Sequence, residues 1–108
     1  MRLKVDKDIE TLRRIIIDYY SDYNIITDSK VNQDTYFIIV EKFFLRNSSR
    51  ASLSIVIAKD DFEEVVIEAV GSGGGNGWLF KFDWGAKESF EYAIIKILKE
   101  NSITFTEE

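Results

Sequence analysis

Two periodicities divide the chain. From Asp6 to about Ser21, and on to Tyr23, apolar residues recur at steps of three and four as Ile9, Leu12, Ile16, Tyr19 and Tyr23, with Ile15 and Tyr20 widening the stripe. That spacing predicts a helix with one buried face. Asp6 stands where a helix cap is needed, and Asp8 and Glu10 put negative charge in the first turn, where the helix dipole favours it. Ahead of the helix, Arg2 to Val5 is a candidate for a short strand.

Between Tyr23 and Trp84 the period falls to two, and β-branched and aromatic residues predominate between turn-forming clusters, which predicts four or five antiparallel strands. Asn24 to Lys30 gives the weaker signal; after a turn at Val31-Asn32-Gln33-Asp34, a long strand runs from Thr35 to Leu45 and turns at Arg46-Asn47-Ser48-Ser49. In Arg50 to Lys59, Leu53, Ile55 and Ile57 face one way and Ser52 and Ser54 the other, the alternation of a half-buried strand. Past Lys59-Asp60-Asp61, Phe62 to Val70 sets Glu64 and Glu68 against Val65, Ile67 and Ala69. The glycine-rich run Gly71 to Gly77 then leads into Trp78 to Trp84, where four aromatics share one face and Leu79, Lys81 and Asp83 the other. Gly85 starts a second helix, with Phe90, Ala93, Ile94, Ile97 and Leu98 as its buried stripe to about Glu100. Ile103 to Thr106 either pairs as an edge strand or stays partly ordered.

Each helix has a single apolar stripe and must bury it on something. The expected fold is therefore α+β, a two-layer sandwich in which an antiparallel sheet of about five strands carries an N-terminal and a C-terminal helix on one face, with residues 1–108 as a single domain. One sheet face is then spare. The aromatic row from Trp78 to Trp84 lies either beneath the helices or on that open face, where it would form an interface.

Composition narrows the chemistry. The 108 residues contain no cysteine, which removes disulfides, thiolate nucleophiles and cysteine metal sites, and no histidine, which removes the commonest base near neutral pH and the serine–histidine triads. Fourteen basic against nineteen acidic residues give a net charge of −5, unsuited to phosphate backbones or anionic membranes. The local group Lys42, Arg46 and Arg50 reads as a solvated sheet edge that discourages pairing with other sheets. Neither a signal peptide nor an apolar run long enough for a bilayer is present, so a cytoplasmic location is expected, with no nucleic-acid or membrane partner and no cofactor.

Among candidate sites, the glycine run lacks the lysine and following helix of a phosphate-binding loop, and reads better as a hairpin connection or as a loop that meets a ligand or partner. Gly73, Gly74, Gly75 and Asn76, with Trp78 and Lys81 beyond them, are the candidate interaction residues. Lys81 also reads simply as a solvated partner of Glu64 or Glu68. The acidic pairs Asp60 with Asp61, Glu63 with Glu64, and Asp83 with Glu88 supply carboxylates without a geometry for acid and base catalysis, since neighbours in a strand point to opposite faces. No catalytic or metal-binding residue is assigned.

The segment Ala69-Val70-Gly71-Ser72-Gly73-Gly74, followed by Trp78-Leu79-Phe80-Lys81-Phe82 and then Trp84-Gly85 opening an amphipathic helix, resembles a family of small bacterial proteins that is a domain of unknown function. The resemblance implies a bacterial cytoplasmic origin and an α+β sheet, and no activity, cofactor or catalytic residue. The functional expectation is a non-enzymatic binding or interaction module, meeting another protein or its own copy through the spare sheet face or the Gly71 to Gly77 loop. The alternative is a small apolar ligand held between helices and sheet, in a pocket lined by Phe80, Phe82, Ile94 and Tyr19.

Overall fold

The computed structural model describes residues 1–44, 49–73 and 85–108. Along the chain run β1 (Arg2–Val5), α1 (Ile9–Tyr19), β2 (Asn24–Asn32), β3 (Thr35–Phe44), β4 (Ser49–Lys59), β5 (Val65–Gly73), α2 (Gly85–Glu100) and β6 (Phe105–Glu107). The six strands form an open sheet in the order β2-β3-β4-β5-β1-β6, and every described pairing is antiparallel. This replaces the expected five-stranded sandwich bounded by terminal helices. The chain begins and ends in strands, and sheet dominates over two short helices.

The two terminal strands account for the difference. Leu3 and Val5 alternate inward on β1, which lies between β5 and β6 because its backbone pairs with both. At the end of α2, Ser102 takes a left-handed backbone (φ 56°). The Ile103 N–H then donates to Leu98 O at 2.9 Å and the Ser102 N–H to Lys99 O at 3.1 Å, closing the last carbonyls of the helix. That turn buries Ile103 and sends the chain back along β1, where the Asp6 N–H donates to Thr104 O at 2.9 Å.

Other boundaries shift for local reasons. Asp8, not Asp6, caps α1: its Oδ2 accepts from the Thr11 backbone N–H at 3.0 Å and the Thr11 hydroxyl at 2.9 Å, and these bonds hold its carboxyl below the usual range. The helix stops at Tyr19, so Tyr20 turns into the core in its place and Tyr19 is 37% exposed. Burial pushes the Tyr20 phenol well above its ordinary value. Phe62 to Glu64 belong to the turn rather than to β5. Asp60 Oδ1 accepts the N–H groups of Phe62 at 2.8 Å and Glu64 at 3.0 Å, Glu63 adopts φ 62°, and Phe62 is left 80% exposed.

One buried cluster joins sheet and helices. It takes Leu3 and Val5 from β1, Tyr36, Ile38 and Val40 from β3, Leu53, Ile55 and Ile57 from β4, and Ile67 and Ala69 from β5, together with Ile9, Leu12 and Ile16 of α1 and Ile94, Ile97 and Leu98 of α2. Each fully buried Leu or Ile side chain contributes roughly 1.5–3 kcal/mol. α1 packs on β3 and β4, and α2 on β4 and β5, so this sheet face is covered and the opposite one is not covered by either helix. Among the described residues, no helix is long and apolar enough to cross a membrane.

Candidate interaction face

Alternation along the strands fixes what the uncovered face presents. Because Ile38, Ile55, Ile57 and Ile67 point to the helices, their neighbours Phe37, Ile39, Val56, Val66, Glu68 and Val70 point away. Register then sets these side chains in rows: Ser29, Phe37, Val56, Glu68 and Arg2 in one, and Thr27, Ile39, Ser54 and Val70 in the next. Phe43 pairs across from Arg50 at one end, and Thr35, Ala58, Val66 and Lys4 form the row at the other. Val70 is 54% exposed, Phe43 48% and Val56 36%. The Arg50 guanidinium stands over the Phe43 ring, 5.9 Å from its centre.

Charges flank this apolar band and pair within it. Arg2 reaches Glu68 at 3.2 Å and Glu108 at 3.0 Å, Lys4 reaches Glu64 at 3.7 Å and Glu108 at 3.6 Å, and Arg50 reaches Glu41 at 3.7 Å. The Arg2 guanidinium is raised further above its ordinary value, first by its hydrogen bond to Glu108. Between these pairs, Val56, Ala58, Val66, Arg2 and Glu68 border a shallow depression of about 150 Å³.

A second polar cluster sits on the covered side, where α1 meets the sheet edge. The Tyr36 hydroxyl donates to Glu10 Oε2 at 2.6 Å, Lys30 Nζ to Glu10 Oε1 at 3.2 Å, and Arg13 Nε to Asp28 Oδ1 at 3.2 Å. These bonds hold Glu10 below the usual carboxylate range, chiefly through Tyr36, and raise Tyr36 and Lys30. Every charge in the cluster has a partner of opposite sign, so its chemistry is that of a clasp between helix and edge strand. A groove of about 530 Å³ opens where β1, α1 and β6 meet, lined by Lys4, Asp8, Glu63, Glu64, Thr104 and Phe105 among others. Among the described residues, no three or more carboxylates gather as a metal site.

The family model for a family of unknown function (DUF6054) matches residues 4–102. The chain belongs to that family. Neither the curated proteins nor the solved structures include a match. Membership thus carries no activity with it, and the residues themselves must supply any functional reading.

Of the six residues singled out in the sequence, Gly73 closes β5, where it pairs with Ala51. Gly74, Gly75, Asn76, Trp78 and Lys81 lie outside the described residues, as does the expected strand from Trp78 to Trp84. Glu64 pairs with Lys4 and Glu68 with Arg2 of β1, and Lys81, their candidate partner in the sequence, lies outside the described residues. Of the expected ligand-pocket lining, Ile94 is fully buried and Tyr19 is exposed, while Phe80 and Phe82 lie outside the described residues. Missed in the sequence were Phe37, Ile39, Val56 and Val70. Their signal was present: Thr35 to Phe44 and Val65 to Val70 are apolar at odd and even positions alike, whereas a strand with one wet face alternates cleanly.

Proposed function

We propose that this protein is a non-enzymatic protein-interaction module that binds through the helix-free face of its sheet. The observation that supports it is the apolar group Phe37, Ile39, Val56 and Val70, set in adjacent rows of the sheet and partly open to water, with Phe43 beyond the polar row of Glu41, Ser52 and Ser72. Scattered surface apolar residues are ordinary, but a group in adjacent rows of a rigid sheet marks an interaction site. The absence of histidine and cysteine throughout the sequence supports binding over catalysis.

The test is site-specific photocrosslinking in cells that make the protein, with a photoreactive phenylalanine analogue at Val70 and, as control, at the exposed Lys96 of α2. A discrete protein adduct of reproducible mass from position 70, absent from position 96 and lost on Val56→Asp, is expected. Equal labelling at both positions, or none at position 70, removes the proposal.

A further inference from the structure

We infer that the occupant of this face is a second copy of the same chain, packed sheet on sheet about a two-fold axis; the inference rests on reading the face as an interaction surface. Charge points to it first. Among the described residues the face holds Arg2, Lys4 and Arg50 against Glu41, Glu64, Glu68 and Glu108, each ion-paired within the face, so this part is close to neutral although the chain carries −5. A strongly charged partner finds little unpaired charge to complement here, while a like copy meets little repulsion. What remains is valine, isoleucine, phenylalanine and hydroxyl side chains, the makings of the inner layer of a β-sandwich.

Size is consistent with this occupant. Strands β2 to β5 have nine to eleven residues each. With β1 beside them they lay out roughly 700 Å² in projection, at ~3.3 Å per residue and ~4.8 Å between strands. A stable interface buries about 800 Å² of accessible surface per partner, a figure the relief of the side chains brings within reach.

Shape supplies the pairing. Phe43 is 48% exposed at one end of the face, and the depression at the other is lined by Val56, Ala58 and Val66 together with the charged Arg2, Lys59, Asp60 and Glu68. A half-turn about an axis lying in the interface and running nearly across the strands exchanges these ends, so the Phe43 of each copy meets the depression of the other. A crossing angle of about 30°, usual for packed twisted sheets, is of the size that offsets Phe43 from β3 to the boundary between β4 and β5. Such a contact is self-complementary, as a two-fold interface requires.

The experiment is solution mass by light scattering over a concentration series for the full chain, Phe43→Ser and Val56→Asp, with circular dichroism to verify folding. A wild-type dimer is expected, with its dissociation constant raised at least tenfold in both variants. Should Phe43→Ser not fold, Val70→Ser carries the same comparison. The chain has no native thiol, so Phe43→Cys mixed with Ala58→Cys and treated with a short bismaleimide should give a cross-linked pair more efficiently than Phe43→Cys alone. A wild type that stays monomeric throughout, or a dimer that neither variant weakens, overturns the inference. In either case the interaction face is judged separately by the adduct at position 70, whose mass would then be that of a different protein.

Discussion

The two faces of the sheet are built from the same strands and nearly the same residue types, yet they do different work. On β4, Leu53, Ile55 and Ile57 are fully buried beneath the helices, while Val56, one residue away, is 36% exposed on the other side. On β5, Ile67 and Ala69 are sealed while Val70 is 54% exposed. Hydrophobicity alone therefore does not distinguish core from surface here. What distinguishes them is whether a helix lies over the face: among the described residues the helices cover one side of the sheet and leave apolar side chains of the other partly open to water.

The largest effect should come from the covered side. Leu53→Ala removes buried methyl groups and leaves a void, with an expected loss of about 2–5 kcal/mol by urea denaturation, whereas Val56→Ala should cost far less. Equal losses from the two would mean that the open face is also core. An opposite and smaller effect is expected at the turn that delivers Ile103 into the covered side: Ser102→Gly relieves the left-handed backbone and should stabilise by roughly 0.5–1 kcal/mol, read as a rise in melting temperature.

Acid should loosen the margin of the covered face. Glu10, Asp8 and Asp60 are held below their ordinary values by hydrogen bonds, so folding keeps them charged and their contribution is complete above the unfolded range. It is lost as pH falls from about 4.5 through the depressed folded values, and Glu10→Gln should flatten the acid limb of a melting-temperature profile. No change in that limb would show that the Tyr36, Lys30 and Glu10 clasp does not form. The smallest effect on stability belongs to Val70→Ser, within about 0.5 kcal/mol of wild type as for surface positions generally. Its consequence should appear in association instead.

Much of the covered face was legible because it depends on local period. The three- and four-residue steps of Ile9, Leu12 and Ile16 located α1, and the alternation in Arg50 to Lys59 located β4 and its inward side. Legibility ended where a distant partner set the outcome. Arg2 to Val5 reads as a candidate strand and is one, but its place between β5 and β6 is set by pairing with both. Tyr19 and Tyr20 compete for one inward position, and the end of the helix settles it for Tyr20. Phe62 matches the strand pattern as well as Val66 does, but Asp60 captures the backbone first.

The open face was the harder part to read. Its residues are adjacent in sequence to core residues and share their chemistry, so the pattern gives an apolar position without saying what covers it. By itself the sequence determined the element types along most of the chain and the absence of thiol and imidazole chemistry, because helix and strand periods and side-chain inventory are local properties. Only the tertiary structure decided the strand order, the pairing of Arg2 and Lys4 with Glu64, Glu68 and Glu108, and which face of the sheet the helices cover. Those depend on contacts between residues up to 106 positions apart, whose energies no local window contains.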